Sequence, residues 1–235
     1  MAHLHGEERA HYVQDMFGRI AGRYNLMNTL MTGGQDMRWR RFVVQQAELQ
    51  PGDKLLDLAT GTGDIALEAQ KMIPDLEVVG ADFSLPMMMV GKARPGSARM
   101  MWAGADALHL PFANNTFDAV TSGYLVRNVI DISRTFAEQL RVLKPGGRIV
   151  VLDSTPPPNN LLRPFIMIHL KYIVPMLGRL ISGKEGADAY RYLPESTQKF
   201  KTADELATMM RDAGVRNVTF TRLMFGTMAV HRGEK

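Results

Sequence analysis

The residues best placed to do chemistry lie in one stretch, Leu55-Leu56-Asp57-Leu58-Ala59-Thr60-Gly61-Thr62-Gly63-Asp64. An apolar run delivers the chain to two glycines one residue apart, and a helix-like segment follows. Glycine has no Cβ, so backbone at Gly61 and Gly63 can approach a ligand closely. Asp82 ends the next apolar run, about 20 residues on, where a carboxylate can accept both hydroxyls of a ribose. Phe83 follows it directly. Asp106-Ala107 comes after a third run, where an adenine could be held, and Gly123 closes a fourth. In open α/β sheets, ligands bind beyond the carboxyl ends of the strands. The pattern is therefore that of a nucleoside site, although a glycine pair alone also suits a plain strand-to-helix turn.

The nucleoside need not be a dinucleotide. The third position of the dinucleotide fingerprint is Ala66 in Gly61-Thr62-Gly63-Asp64-Ile65-Ala66. Alanine is sometimes tolerated there, so NAD is disfavoured rather than excluded. An acidic Asp64 opening the helix sits badly with a pyrophosphate, whereas S-adenosylmethionine (SAM) has no phosphate and carries a positive sulfonium. Acidic residues around the loop suit SAM better.

These residues need a scaffold, and the middle of the chain supplies alternating strands and helices. Strands are expected at Lys54 to Ala59, Glu77 to Ala81, Ala98 to Trp102, Phe117 to Ser122 and Arg148 to Leu152. Helices are expected at Asp64 to Met72, after Ser84 as cap with Pro86 in the first turn, and at Asp131 to Leu143. Lys144-Pro145-Gly146-Gly147 should terminate the last of these. Continuous apolar strands alternating with helices indicate a parallel sheet covered on both faces. Farther on, Thr202-Ala203-Asp204-Glu205 is a capping box opening a helix that Gly214 closes. Asn217 to Met224 and Thr227 to His231, joined by Phe225-Gly226, read as an antiparallel pair. The expected fold is α/β: a Rossmann-like, mostly parallel sheet with a C-terminal antiparallel strand. One domain is expected, made of a helical cap (1–50), a nucleoside-binding core (51–155), an apolar insertion (156–200) and a closing helix and strand pair (201–235).

The bulk numbers exclude several functions. Among 235 residues there is no cysteine, which rules out disulfides, thiolate metal sites and cysteine nucleophiles. Six histidines are scattered, and only His3 and His5 are close, so no metal site is expected. The formal net charge of +4 is too small to demand an anionic partner. Neither a basic tract nor a Pro-Pro-Tyr-type motif after the fourth strand supports nucleic acid as substrate. Met1 to Ala10 is polar and carries no secretory pattern, so the cytoplasm is the simplest compartment. Leu161 to Ile181 is strongly apolar but holds Arg163, His169, Lys171 and Arg179, with Pro164 and Pro175 as breakers. An amphipathic cap or interfacial segment fits it better than a membrane span.

The chain resembles the menaquinone and ubiquinone ring C-methyltransferases from about Val13 to Arg232. The resemblance rests on Tyr24-Asn25-Leu26-Met27-Asn28 with Trp39, on Asp106 to Asp118, on Arg127-Asn128-Val129 and on Arg141 to Arg148. Tyr190-Arg191-Tyr192-Leu193-Pro194-Glu195-Ser196 and the ending Ala229 to Gly233 add to it. Asn25, Thr32, Asp36-Met37, Gly123 and Asp153 depart from the family's usual residues.

The resemblance implies the class I SAM methyltransferase fold, with SAM contacts on Thr62, Asp82, Asp106 and Ala107. Asp57, Gly61, Gly63, Phe83 and Gly123 complete the expected cofactor-binding set. It implies methyl transfer to a ring carbon of a polyprenyl hydroquinone, demethylmenaquinol first and a ubiquinone precursor second, with S-adenosylhomocysteine as product. Ionising a ring hydroxyl pushes electron density onto the adjacent carbon, so the enzyme must aid deprotonation, align carbon with methyl and exclude water. Arg127, with Asn128, is expected to stabilise the phenolate or activate a water; a guanidinium is a poor base. The other reading of Arg127 is a pair with a structural carboxylate. Tyr24 is expected to bond the quinol or close over SAM, or else to anchor the N-terminal helix. Asp153 would act as acid–base partner or cap the next turn. Tyr190 and Tyr192 line the ring pocket, pack in the core or lie on an exposed loop. Met87-Met88-Met89 reads as helix core. Transient contact with the membrane's inner face and a homodimer complete the expected partners. Two alternatives stay open: another small aromatic or lipid acceptor, and a SAM-binding module without catalysis.

Overall fold

The computed structural model describes residues 6–235, with the backbone alone at 7, 182–191 and 193–195. Three helices come first: α1 (Gly6–Ile20), α2 (Tyr24–Thr32) and α3 (Gln35–Ala47). The alternating core follows with β1 (Lys54–Leu58), α4 (Asp64–Met72), β2 (Glu77–Asp82), α5 (Leu85–Lys92), β3 (Met101–Gly104), β4 (Phe117–Gly123), α6 (Ile132–Val142) and β5 (Leu143–Ser154). A long helical segment, α7 (Arg163–Ile168) and α8 (Val174–Lys199), precedes α9 (Ala203–Asp212), β6 (Arg216–Leu223) and β7 (Met228–Glu234).

The seven strands form one sheet in the order β3-β2-β1-β4-β5-β7-β6, and β7 runs antiparallel to both β5 and β6. Pleating sends alternate side chains to opposite faces. Leu56, Leu58, Val120, Ile149 and Val151 meet α6 and α9 through Phe136, Leu206 and Met210. Their neighbours Leu55, Ala119, Val150 and Leu152 meet α3 and α4 through Trp39, Val43, Val44 and Ile65. Both faces are covered, which explains the continuous apolar strands. The chain crosses from one side of β1 to the other between β3 and β4, and the crevice at the carboxyl ends of β1 and β4 is the topological switch point.

Four expectations need correction. The third strand begins at Met101, because Ser97–Arg99 forms a 3-10 turn. Ser84 stands at the N-cap position of α5, yet its hydroxyl makes no capping bond. Lys144 to Gly147 does not separate helix from strand; it belongs to β5 as a bulge, and pairing jumps from Phe117↔Leu143 to Ala119↔Arg148. That bulge requires glycine: Gly146 has φ +77°, and a Cβ on Gly147 would lie 2.8 Å from the Lys144 carbonyl oxygen. Finally, Pro175 does not break its helix. A π-helical turn at His169–Ile173 lies directly before it and absorbs the missing N–H, while Pro164 sits in the first turn, where no partner is lost.

The stretch Arg163–Ile181 is long and apolar enough to cross a membrane by length and composition, and 11% of it is buried. The buried side, with Leu170, Val174 and Leu177, packs on Val13, Met16 and Met27 of α1 and α2. Its other side carries Phe165, Ile168, Tyr172, Met176 and Leu180 in the open.

Candidate active site

The loop after β1 is braced from below and from the side. Asp57 is buried and accepts hydrogen bonds from the hydroxyls of Thr60 at 2.7 Å and Thr121 at 2.9 Å. Burial pushes its carboxyl up to about 6. The Thr62 hydroxyl lies 2.8 Å from Asn25 Oδ1 and 3.1 Å from Asp64 Oδ2, tying the loop to α2. Gly63 has φ +80°, and a Cβ there would sit 2.8 Å from the Trp102 ring. Asp57, Thr62 and Gly63 thus shape the loop from behind and do not line the cavity in front of it.

That cavity measures about 410 Å³ and opens at the carboxyl ends of β1, β2 and β4. Gly61, Asp82, Phe83, Asp106, Ala107 and Gly123 all line it. Asp82 accepts the Gly61 N–H at 2.7 Å through Oδ2 and the Ser84 N–H at 2.7 Å through Oδ1. Two loops therefore hold one carboxylate, whose pKa burial raises. Asp106 is exposed and accepts the Leu108 N–H at 2.9 Å. A side chain at Gly123 would put its Cβ 3.0 Å from Ile65 Cδ1, so a serine here would have to displace that methyl. From the other side α1 covers the cavity, and Gln14 donates to the Phe83 carbonyl at 2.8 Å.

Asp64 is not the free anion that its place in the sequence suggested. Arg94 meets it at 2.6 Å and Arg40 at 3.1 Å, while Arg40 also pairs with Asp36 at 3.0 Å. Its charge is compensated and offers no sulfonium attraction. The lining of the first cavity holds neither lysine nor arginine among the described residues.

A second cavity of about 400 Å³ lies between α2, the α7–α8 segment and the β6–β7 turn. Its lining is mostly apolar; Tyr24, Asn28, Arg127, Ser154 and Thr197 bring polar groups to it, and Thr32, His169 and Thr227 add others. Tyr24 and Tyr124 line both cavities and form the wall between them. Desolvation raises the pKa of both phenols. Tyr124 has φ +60°, a rare conformation for a bulky residue, and the Arg127 guanidinium lies 4.9 Å from its ring centroid.

Arg127 makes the structural pairing expected of it and also stands at a cavity wall. It pairs with Asp153 at 2.8 Å and reaches the Ser154 hydroxyl at 3.2 Å, yet it also lines the second cavity. Asp153 sits behind it, buried, accepting the backbone N–H groups of Arg127 and Ser154. Asn128 has both ends occupied: its amide donates to the Tyr124 carbonyl at 2.8 Å and its oxygen accepts from Tyr192 at 3.2 Å. Tyr192 is packed in the core against Tyr12 and lines neither cavity. Tyr190 lies outside the described side chains.

Sequence reasoning missed Tyr124, Asn28, Ser154 and Thr197. Asn28 carried a usable signal, since it falls one helical turn after Tyr24 on the same face. Thr197 carried none; its hydroxyl reaches Ser154 at 3.0 Å across 43 residues of chain.

The model of the ubiE/COQ5 methyltransferase family matches residues 4–235. The chain belongs to this family. This methyltransferase is 50% identical over 223 residues to a ubiquinone/menaquinone biosynthesis C-methyltransferase of Desulfotalea psychrophila, covering 95% of the chain and 90% of that relative. It is 44% identical to a demethylmenaquinone methyltransferase of Thermus thermophilus, covering 94% of the chain and all of that relative, 100%. Among solved structures, a methyltransferase of Haloferax volcanii in complex with the Trm112 activator shares the fold at 17% identity and TM-score 0.67, over 93% of this chain and 96% of that one. A Haemonchus contortus phosphoethanolamine N-methyltransferase also shares it, at 16% identity and TM-score 0.63 over 84% of this chain and 52% of that one.

Proposed function

We propose that this methyltransferase carries the methyl group of SAM to a ring carbon of a polyprenyl hydroquinone. Demethylmenaquinol is the first acceptor and a ubiquinone precursor the second. The single observation that carries the reading is the shared wall: two cavities of about 410 and 400 Å³ meet at Tyr24 and Tyr124.

The first cavity suits SAM. Asp82 is held where a ribose would be gripped, Asp106 is placed for an adenine, and among the described residues no lysine or arginine lines the space to anchor a phosphate. Bound there, SAM supplies a sulfonium methyl open to attack by a carbon nucleophile, and S-adenosylhomocysteine remains. Asp57, Thr60 and Thr62 keep the loop in shape, and α1 excludes water from above.

The second cavity suits an apolar ring with oxygen substituents. Arg127 presents positive charge where a phenolate would form, and Asp153 fixes its orientation. Stabilising that phenolate raises the nucleophilicity of the neighbouring carbon. Tyr24 and Tyr124 exclude water around the reacting pair. The prenyl tail leaves past Leu162 and Phe165, toward an apolar face on which Leu161 is 93%, Phe165 71% and Leu180 74% exposed. Arg163, Lys171 and Arg179 share that segment and would meet lipid phosphates, placing the protein on the inner face of the membrane.

The test is turnover. Purified protein with SAM should methylate demethylmenaquinol, with the benzoquinol precursor as a slower acceptor. Methylation of neither quinol, by protein that binds SAM, would reject the reading.

A further inference from the structure

Asn28 belongs to the second cavity and is only 7% exposed. Its amide lies beside the Tyr24 phenol, one turn earlier on α2, and works against the rise in pKa that burial causes there, short of a full hydrogen bond. Its amide nitrogen Nδ2 nevertheless has no hydrogen-bond partner. A buried amide donor without an acceptor is costly, and native folds rarely keep one without a use. Asn128, near the same wall, shows the contrast, with both ends of its amide engaged.

One other lining residue of this cavity keeps an orphaned buried polar atom among the described residues: Arg127, at Nε. Both orphans are N–H donors. Two orphaned buried donors at one cavity call for a ligand that brings oxygen acceptors.

We propose that Asn28 is a substrate-binding residue that donates Nδ2–H to a ring oxygen of the acceptor. With Arg127 it fixes which ring carbon faces the Tyr24–Tyr124 wall. Asn28 thereby selects acceptors that carry an oxygen at that position over those that do not. The inference rests on the second cavity being the acceptor site.

Three variants test it: Asn28→Leu removes the donor at similar volume, Asn28→Asp keeps the shape but offers a carboxylate, and Asn28→Gln retains an amide. The KM for demethylmenaquinol should rise about ten-fold or more in the first two and recover in part in the third. SAM affinity by calorimetry should stay within about two-fold of wild type, since Asn28 does not line the first cavity. Thermal stability of Asn28→Leu should stay close to wild type, because loss of the unpaired donor offsets the polar neighbour that Tyr24 loses. Asn28→Asp should regain activity as pH falls and its carboxyl becomes a donor, a profile that a merely structural role would not produce.

A wild-type KM in Asn28→Leu, or a joint loss of stability and SAM affinity in Asn28→Leu and Asn28→Asp alike, would overturn the assignment. Wild-type protein inactive on every quinol would instead reject the acceptor reading on which it stands.

Discussion

Arg127 and Asp153 form an ion pair of 2.8 Å whose side chains are 6% and 1% exposed, at the end of the strand that borders the second cavity. Removing one member leaves an uncompensated buried charge, a loss of about 3–5 kcal/mol. Arg127→Met should therefore destabilise the fold by that amount and abolish methylation. The double variant Arg127→Met/Asp153→Leu should recover most of the stability and none of the activity. Urea unfolding alongside the quinol assay separates the two effects; activity restored with stability would make Arg127 purely structural.

Glu138 gives the fold a defined acid sensitivity. Hydrogen bonds from Arg141, with a backbone donor at Leu110, hold its pKa at about 2. A depressed folded-state pKa contributes stability that is complete above the unfolded value, about 4.3, and is lost as pH falls toward the folded one. Glu138→Gln should cost about 2 kcal/mol at pH 7 and flatten the stability profile between about pH 5 and 2. Denaturation midpoints across that window check it, and parallel profiles for variant and wild type would refute it.

Thr202 and Glu205 form a complete capping box at the start of α9, whose Leu206 and Met210 pack under the sheet. Thr202→Ala should lower stability by about 1 kcal/mol with no change in SAM affinity. Thermal unfolding and calorimetry read these separately.

The apolar face on α7 and α8 predicts a lipid-dependent activity. Phe165→Glu combined with Leu180→Glu should leave SAM affinity unchanged and abolish sedimentation with vesicles containing anionic lipid. Turnover should fall on a long-tailed quinol in vesicles, and much less on a short-tailed, soluble one. Equal vesicle binding by wild type and the double variant would reject membrane docking by this face.

The sheet strands around the first cavity were largely legible in the sequence. The helix at Asp64–Met72, the strand ending at Asp82 and the capping box at Thr202 all lie where periodicity and turn chemistry place them. These are local decisions, made by side-chain spacing along a few residues. The bulge in β5 escaped because Lys-Pro-Gly-Gly reads as a terminator until a neighbouring strand offers it a partner. Pro175 reads as a break until the π turn before it is seen.

The sequence by itself determined the α/β alternation, the glycine loop, and the carboxylate at residue 82 that lines the first cavity. Tertiary structure alone decided what each charge meets: Asp64 is neutralised by two arginines, Arg127 is locked to Asp153, and Asn28 is left with a free donor. Only it decided, too, that two cavities share the Tyr24–Tyr124 wall. The division is physical. Backbone conformation follows from neighbours in the chain, whereas electrostatic pairing and cavity shape depend on groups dozens of residues apart that packing alone brings within reach.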